Sequence, residues 1–356
     1  MQIHGIEYIE FYVTDFDRAV SVFCDGYGFR TVASATEEES LHAGSRSVQL
    51  AHGGARIVVT AATEPDSEVA VFIAEHGDCI RDIALRVDDA AAAYATAVGA
   101  GAAPLAVPDT RGGVTWAAVA GVETIRHTFI ERAGADTQLP GFRPVVSGQL
   151  PVGLIEKIDH LAICLPGGAL TATEDFYRRT LGLRRTFVET IEVGTQVMES
   201  LVLQGGIDDS VTFTLVAPDC EEGQLVDFLR ACGGGGVQHV AFGTDDIVGG
   251  VQALGVRGVE FLSTPAPYYE QLPDRLGYAA QDIALLGKLG ILGDRDHWGD
   301  LLQIFTRSPF PNRAVFFELI ERRKARTFGS ANIRALYEAA ERLRAIDLVT
   351  VSKETS

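Results

Sequence analysis

The amino-acid sequence repeats itself once. In each half, a strand-like segment leads through a polar turn into an amphipathic helix that ends at an aromatic residue and a glycine, and a second strand follows. Two shorter matches come later in each half, in the same order. The matched pairs are residues 5–32 with 157–187, 78–102 with 235–259, and 127–132 with 318–323. A fixed order of matched pieces indicates two copies of one structural unit.

The pattern within each copy predicts an α+β fold. Short runs of alternating apolar residues, such as SVQLAHGGARIVVTAA, are typical of paired strands, and helical segments separate the groups of strands. Between the copies, residues 132–153 are rich in Pro, Gly and polar residues and lack periodicity, as linkers do. We therefore expect one domain at 1–150 and a second at 151–356.

The second copy has a C-terminal extension without a counterpart in the first. In TFGSANIRALYEAAERLRA, Ser330 is placed to cap a helix, and apolar or aromatic residues recur at helical spacing. These residues are Ile333, Leu336, Tyr337, Ala340 and Leu343. The extension is therefore predicted to form a helix that packs through one face.

The charge balance argues against several classes of partner. Asp and Glu number 48 against 30 Lys and Arg, a net charge of −18 that repels nucleic acid and anionic membrane surfaces. No apolar run approaches the roughly 20 residues that span a bilayer, and the N-terminus lacks a secretion signal. The 5 scattered cysteines indicate reduced thiols. We expect a cytoplasmic protein that binds neither nucleic acid nor membranes.

Polar residues occupy matched positions inside apolar strands of both copies. They are His160, His239 and Glu318 in the second copy, against Tyr8, Asp82 and Thr128 in the first. A carboxylate in a strand as apolar as AVFFELI costs several kcal/mol to bury unless a cation, a hydrogen bond or protonation compensates. If the repeat forms a curved sheet, two imidazoles and one carboxylate converge as the facial triad that suits non-haem Fe(II).

A single buried histidine is more often held by backbone or water than by a metal. Three ligand-competent residues at matched points of a repeat favour a metal site instead. The same donors also build zinc sites and suit manganese, so the ligand types alone leave the metal open.

Several ordered motifs resemble one known family along nearly the whole chain. KIDHLAICL, GVQHVAF, LLQIFT, VFFELIERR and TFGSANIRALYEA, with LPGF in the linker, are similar to the 4-hydroxyphenylpyruvate dioxygenase family of the vicinal-oxygen-chelate superfamily. The resemblance implies two open-barrel domains of repeated βαβββ modules and a C-terminal lid helix. It also implies Fe(II) in the second domain only, on His160, His239 and Glu318.

The resemblance further implies an α-keto acid substrate and O2. Both main activities of the family oxidatively decarboxylate 4-hydroxyphenylpyruvate, which chelates the iron through its keto acid group. Homogentisate formers then hydroxylate the ring, whereas 4-hydroxymandelate synthases hydroxylate the benzylic carbon. Pocket shape must decide which carbon lies nearest the iron.

Two departures from the homogentisate formers resemble the mandelate synthases. Homogentisate formers usually carry an asparagine in a Pro-Leu-Asn-Glu-Pro segment, where TLVAP places Val216. They also have a glycine and a phenylalanine where TFGSANI places Thr327 and Ile333. We expect 4-hydroxymandelate as the product, with homogentisate as the alternative. A role in antibiotic-precursor supply is what this resemblance implies.

Further residues are candidates for the substrate pocket. Gln303, Ser200 and Thr214 are the candidate catalytic residues, and the substrate-binding candidates are Val216, Gln224, Phe328, Asn332 and Ile333. Ser and Thr are also ordinary strand residues, and Gln224 equally fits a helix surface. Phe328 and the helix after Ser330 are expected to close over the site and exclude water. Tyr268 and Tyr269 either line the entrance or pack the loop.

Two other functional classes stay open at this stage. Extradiol ring-cleaving dioxygenases share the triad but need an acid–base histidine, for which His297 is the one further candidate in the second half. A non-catalytic drug-binding module of the same superfamily would lack the triad. The sequence leaves the oligomeric state open, with subunit contacts in a homo-oligomer as one role for the metal-free first half.

Overall fold

The computed structural model describes residues 1–134, 137–145, 151, 153–193, 196–329, 332–336 and 338. Its strands form one sheet in each half of the chain. The first sheet contains β1 (Ile3–Tyr12), β2 (Arg30–Ala35), β3 (Ser45–His52), β4 (Ala55–Ala62), β5 (Cys79–Val87), β6 (Pro104–Arg111), β7 (Val114–Ala120), β8 (Arg126–Arg132) and β9 (Phe142–Pro144). The second contains β10 (Lys157–Cys164), β11 (Arg184–Val193), β12 (Gln196–Gly205), β13 (Val211–Pro218), β14 (Gly236–Gly243), β15 (Leu292–Arg295), β16 (Asp300–Phe305) and β17 (Phe316–Arg323).

The helices lie between these strands. They are α1 (Phe16–Ser21), α2 (Glu37–Ala43), α3 (Glu68–His76), α4 (Ala90–Gly99), α5 (Leu170–Thr180), α6 (Gln224–Ala231), α7 (Ile247–Val256), α8 (Ala266–Glu270), α9 (Leu272–Leu276) and α10 (Ala280–Leu289). A π-helical turn, Val22–Gly26, continues α1, and a 3-10 turn, Ile207–Asp209, precedes β13. Over the described ranges, no helix combines the length and apolar character needed to span a bilayer.

The strand order confirms the predicted repeat. The first sheet runs β6-β7-β8-β5-β1-β4-β3-β2, with β9 added at its edge, and the second runs β15-β16-β17-β14-β10-β13-β12-β11. Each sheet therefore contains two βαβββ modules, such as β1-α1-β2-β3-β4 followed by β5-α4-β6-β7-β8. The α+β class and the pair of curved, barrel-like domains predicted from the sequence are confirmed.

One apolar core joins the two sheets. The ring of Phe11 on β1 lies 5.5 Å from Phe310 and 6.2 Å from Phe317 on β17, and Phe317 stacks on Phe242 of β14 at 5.5 Å. All four rings are buried. Because burial of large aromatic side chains contributes strongly to packing, this cluster fixes the second sheet against the first.

The connection between the halves is described in part. β9 pairs with β2, so the chain returns to the edge of the first sheet before it leaves that half. The predicted boundary near 150 falls at residues 146–150, outside the described residues, and stays a prediction. The 5 cysteines are free thiols, as the sequence indicated.

The C-terminal extension begins a helix where the sequence predicted one. Residues 332–336 and 338 are helical. The amides of Asn332 and Ile333 both donate to the carbonyl of Gly329, whose positive φ of 69° suits glycine. The predicted cap Ser330, and Tyr337, Ala340 and Leu343, lie outside the described residues.

Candidate metal centre

Three neighbouring strands bring the predicted triad to one face of the second sheet. On the central strand β14, Ala241 pairs with His160 of β10 on one side and with Glu318 of β17 on the other. His239 lies two residues before Ala241, so its side chain points to the same face. The small side chain of Ala241 leaves space between the three polar groups.

The three side chains converge to within metal-binding reach. Nε2 of His160 lies 3.3 Å from Oε2 of Glu318, and Nε2 of His239 lies 3.4 Å from the same oxygen. Ligands bound about 2.0–2.2 Å from one ion at right angles would lie about 3 Å apart, close to these separations. All three residues are buried. Within the described residues, this is the one group of three or more His, Cys, Asp or Glu side chains with converging ligand atoms.

Electrostatics make the group receptive to a cation. Burial alone would raise the pKa of Glu318, but the two histidines hold it at about 2, so the carboxylate is ionised. Burial alone would lower the pKa of His160, yet the carboxylates of Glu318 and Asp159 raise it to about 9. Burial lowers the pKa of His239 below its ordinary value. In the metal-free protein a protonated His160 therefore supplies the positive charge beside the buried carboxylate, and a metal ion would take the place of that proton.

Two residues outside the triad fix the orientation of His160. Nδ1 of His160 lies 2.9 Å from Oδ1 of Asp159, which leaves Nε2 facing Glu318. Arg322 holds the same carboxylate through Nε and Nη2, with distances of 2.9 Å from Nε to Oδ2 and from Nη2 to Oδ1. Arg322 also donates to the carbonyl of Thr327 at 2.7 Å and lies 4.8 Å over the ring of Phe328. It therefore links a triad histidine to the start of the C-terminal segment.

A second chain of hydrogen bonds holds Glu318. Gln303 donates through Nε2 to Oε1 of Glu318 at 2.8 Å and accepts at Oε1 from Asn332 Nδ2, also at 2.8 Å. The Asn332 oxygen in turn lies against the hydroxyl of Tyr268. This hydroxyl also contacts the backbone of Gly293. The helix that begins at Asn332 is thus tied to a triad carboxylate.

The triad opens into a small chamber. Its walls contain most of the predicted pocket residues, together with two that the sequence reasoning did not assign to the pocket, Phe305 and Leu336. The lining residues are His160, Ser200, Thr214, Val216, His239, Gln303, Phe305, Glu318, Phe328, Ile333 and Leu336. Oγ1 of Thr214 is buried without a hydrogen-bond partner among the described residues, as is Nδ1 of His239, the ring nitrogen that does not face Glu318. The Thr214 hydroxyl is therefore a polar group of the chamber lining that a ligand could satisfy.

Five other predicted residues do not line the chamber: Gln224, Asn332, His297, Tyr268 and Tyr269. Gln224 begins α6 and lines a separate groove rather than the chamber. His297 is exposed in a turn beside Trp298 and does not line the chamber. Both tyrosines belong to the short helix α8. Tyr269 is buried there, whereas the hydroxyl of Tyr268 contacts Asn332 in the C-terminal segment.

The matched face of the first sheet holds a different cluster. Tyr8 pairs with Ala84, and Asp82 lies one pleat away, as the repeat alignment predicted. The strand register makes Thr128 the counterpart of Glu318, one residue away from the match of 127–132 with 318–323, which would set His127 there. Arg126 donates through Nε to Asp82 at 3.0 Å and through Nη2 to Glu10 at 2.6 Å, while Thr128 donates to Asp82 at 2.5 Å. A guanidinium thus supplies, in the first half, the positive charge that a metal would supply in the second.

The sequence contains signals for the residues that were missed. Asp159 immediately precedes His160. Arg322 lies four residues after Glu318 on the same strand, and because successive side chains alternate between the two faces of a sheet, both point to one face. Phe305 follows Gln303 by two residues and shares its face for the same reason. These positions become interpretable only when the register of the strands is known.

Family comparisons match both halves. Residues 1–140 match a model described as hydroxyphenylpyruvate dioxygenase, N-terminal. Residues 157–272 match the glyoxalase/bleomycin resistance protein/dioxygenase superfamily. The first match spans β1 to β8, and the second spans β10 to β14 and ends before β15.

Individual proteins are similar along nearly the whole chain. A 4-hydroxyphenylpyruvate dioxygenase from Danio rerio is 31% identical over 363 residues, which cover 95% of this chain and 90% of that protein. One from Yarrowia lipolytica is 29% identical, covering 96% and 92%. Among solved structures, a mutant of 4-hydroxymandelate synthase from Streptomyces coelicolor matches with a TM-score of 0.88 at 39% identity, over 97% of this chain and 100% of that chain.

Proposed function

The chain belongs to the 4-hydroxyphenylpyruvate dioxygenase family, and from this premise we propose that it converts 4-hydroxyphenylpyruvate and O2 into 4-hydroxymandelate and CO2 with Fe(II). The dioxygenase class follows from the family. The product assignment depends on one observation above all: aliphatic side chains, Val216 and Ile333, line the chamber beside the His160–His239–Glu318 triad.

The donor set fits the proposed metal. Two imidazoles and one carboxylate hold a metal on one face and leave positions for a bidentate keto acid and for O2. His160, His239 and Glu318 would hold the Fe(II), which when bound activates O2 for oxidative decarboxylation of the keto acid. The fit is supported by the shared approach of both Nε2 atoms to one Glu318 oxygen, and by the Asp159 carboxylate, which holds Nδ1 of His160 and leaves Nε2 facing Glu318.

The chamber's polar side chains have different proposed roles. Both ends of the Gln303 amide are already hydrogen-bonded, to Glu318 and Asn332, so we assign it to holding the carboxylate in place. The Thr214 hydroxyl lacks a partner among the described residues and is available to the substrate. Ser200 pairs across the sheet with Val216 and lines the same chamber, so it is the second candidate for a substrate hydrogen bond.

Apolar walls would position the aromatic ring. Phe305 and Phe328 line the chamber with Val216 and Ile333. The ring centroid of Phe328 lies 5.0 Å from that of His160, in an edge-to-face arrangement. With no amide at 216 and no aromatic side chain at 333, the ring would settle against these walls and present the benzylic carbon to the metal. Orientation of this kind decides which of two nearby carbons reacts.

The C-terminal segment closes the chamber. The free space inside is about 30 Å³. This is room for a water molecule or an ion, and an aromatic keto acid requires the lining to move. Phe328, Ile333 and Leu336 all belong to the C-terminal segment, so its displacement would admit the substrate and its return would exclude water.

Product analysis tests the proposal. Protein loaded with Fe(II) is supplied with 4-hydroxyphenylpyruvate in air, and the products are separated by chromatography with CO2 measured in parallel. We expect 4-hydroxymandelate in equal amount to CO2. Homogentisate would overturn the product assignment but keep the family, whereas no turnover of the keto acid would overturn the proposed function.

Homogentisate formation is the second candidate because the similar proteins from D. rerio and Y. lipolytica are named 4-hydroxyphenylpyruvate dioxygenases. The same chromatogram distinguishes the two products. Catechol cleavage has less support, since His297, its candidate acid–base residue, does not line the chamber.

A further inference from the structure

A larger cavity lies outside the metal chamber, between the two halves of the chain. It has a volume of about 1290 Å³ and is partly open to solvent. Its walls come from α1 and the π-helical turn in the first half, and from α6, the residues after α7 and residues 306–314 in the second. We name it the arginine groove after five lining residues: Arg18, Arg230, Arg257, Arg307 and Arg313.

The groove is positive in a strongly negative protein. Against its five arginines stand three lining carboxylates, those of Asp25, Asp227 and Glu260. The chain as a whole carries a net charge of −18. Such a protein repels small anions over most of its surface, and a local excess of positive charge marks where an anion can approach.

The groove arginines differ in their partners: two lie beside carboxylates, and two contact backbone carbonyls. Arg230 lies 3.3 Å from Asp227, and Arg307 lies 3.6 Å from Glu260. Arg18 instead donates to the backbone carbonyl of Pro309 at 3.2 Å, and Arg257 donates to the backbone carbonyl of Asp25 at 3.3 Å. A carbonyl fixes a guanidinium in place without cancelling its charge.

Both of these contacts cross between the halves of the molecule. Arg18 belongs to the first half and reaches Pro309 in the second, whereas Arg257 belongs to the second half and reaches Asp25 in the first. Each guanidinium is therefore held where the two halves meet, and both line the groove. Each contact uses one guanidinium nitrogen, and a guanidinium has five N–H donors in all.

The inner end of the groove adjoins the metal chamber. Phe316 lines the groove, and its ring lies 5.0 Å from the ring of His239. Leu336, in the C-terminal helix, lines both the groove and the chamber. A single layer of side chains thus separates the two cavities, and one of those side chains belongs to the segment proposed to move.

We propose that the arginine groove is the capture site for the substrate's carboxylate, with Arg18 and Arg257 as the residues that bind it before it enters the chamber. The ligand class is a small aromatic α-keto acid anion, and this identification rests on the proposed function. The chamber lining includes Glu318 and, among the described residues, no Lys or Arg. For the part of the lining that the structure describes, the bound metal would be the one positive group in the chamber, so basic side chains that attract the anion lie outside it, in the arginine groove.

Kinetics at varied salt concentration test this proposal. The variant is Arg18→Gln with Arg257→Gln, and the control is Arg143→Gln, an exposed arginine on β9 that does not line the groove. At low salt we expect the double variant to lose roughly three- to tenfold in kcat/KM with kcat unchanged, since steering by local charge changes encounter rates by about tenfold or more. Salt should reduce kcat/KM of the wild type and of the control, and have little effect on the double variant.

A binding measurement separates this proposal from the proposed function. Metal-free protein is titrated calorimetrically with phenylpyruvate and, as an uncharged control, with phenylpyruvate methyl ester. We expect the wild type to bind the anion several-fold more tightly than the double variant, with no such difference for the ester. Anion binding by the wild type without any turnover would keep the groove and overturn the function. Wild-type kinetics and wild-type anion binding in the double variant would overturn the groove alone.

Discussion

Asp159 and Arg322 show how residues outside the triad determine its geometry. Burial alone would raise the pKa of the Asp159 carboxyl, but Arg322 and His160 hold it well below its usual range. The carboxylate therefore stays ionised and keeps the proton of His160 on Nδ1, with Nε2 facing Glu318. Carboxylates that hold a metal-binding histidine in this way raise its basicity and fix the orientation of its ring.

Replacing this carboxylate should weaken metal binding. Asp159→Asn keeps the size of the side chain but removes the charge that holds both His160 and Arg322. We expect the affinity for Fe(II) or Mn(II) to fall about 10–100-fold, the usual effect of removing a group that hydrogen-bonds the non-ligating nitrogen of a metal-binding histidine. Equilibrium dialysis with metal analysis measures this. Asp66→Asn, in an exposed turn, is the matched control, and equal affinities for the two variants would contradict the assigned role of Asp159.

The chamber's aliphatic residues make a separate prediction about the product. Val216→Asn combined with Ile333→Phe restores the amide and the aromatic side chain that the homogentisate formers carry. We expect homogentisate to appear at the expense of 4-hydroxymandelate, since about 1.4 kcal/mol between two barriers changes a product ratio about tenfold. Chromatography of the turnover mixture gives the ratio. Val71→Asn, at an exposed helix position, should leave the product unchanged, and an unaltered ratio in the double variant would argue against control by these walls.

Among the structural elements, the matched strands of the two sheets compensate a buried negative charge in two different ways. β10, β14 and β17 gather two histidines and a carboxylate, whereas β1, β5 and β8 gather two carboxylates around Arg126. In both cases a buried negative charge faces a positive group, as a low-dielectric interior requires. The first sheet therefore needs no metal at this position.

Removal of the first sheet's cation should be costly. Arg126→Met leaves the carboxylates of Asp82 and Glu10 buried without their partner. We expect the free energy of unfolding to fall by about 3–5 kcal/mol, the usual cost of removing one partner of a buried ion pair. Urea denaturation measures the change. The triple variant Arg126→Met, Asp82→Asn and Glu10→Gln should recover much of the loss, and no loss in the single variant would contradict this account.

The same strands show how far sequence reasoning reaches. The repeat predicted which strands correspond, and polar residues in apolar runs pointed to His160, His239 and Glu318, because burial makes such residues costly without a partner. Asp159 and Arg322 could not be assigned, since their meeting depends on the register of β10, β14 and β17. Gln224 was a pocket candidate by position, but the orientation of α6 places it in the groove. Helical periodicity alone does not tell which neighbour a helix face meets.

At the scale of the whole molecule, the two halves share a buried polar contact as well as an apolar core. His127 of β8 lies 3.1 Å from the hydroxyl of Tyr177 on α5 and 3.2 Å from the carbonyl of Ile83. Its ring also stacks on Phe213. Burial lowers the pKa of His127 to about 4, so the imidazole is neutral in the folded protein at neutral pH.

This contact predicts a loss of stability in mild acid. The unfolded chain takes up a proton on His127 near its ordinary pKa of about 6.5, whereas the folded protein does so only near 4, so acid favours unfolding between these values. The stabilisation from the neutral His127 is present above pH 6.5, and the free energy of unfolding should fall by about 2 kcal/mol by pH 5. Urea denaturation at pH 7 and pH 5 measures it. His127→Phe should show a smaller difference between the two pH values, and an equal difference would contradict this assignment.

The central claim is that one metal ion binds in the second half alone, on His160, His239 and Glu318. Metal analysis after anaerobic dialysis against Fe(II) tests it most directly, on the wild type, on Glu318→Gln and on Thr128→Ala, the change at the matched position of the first half. We predict one iron per chain in the wild type and in Thr128→Ala, and none in Glu318→Gln, with the fold of each variant checked by circular dichroism. A full equivalent of iron in folded Glu318→Gln, or a folded wild type that binds none, would contradict the account.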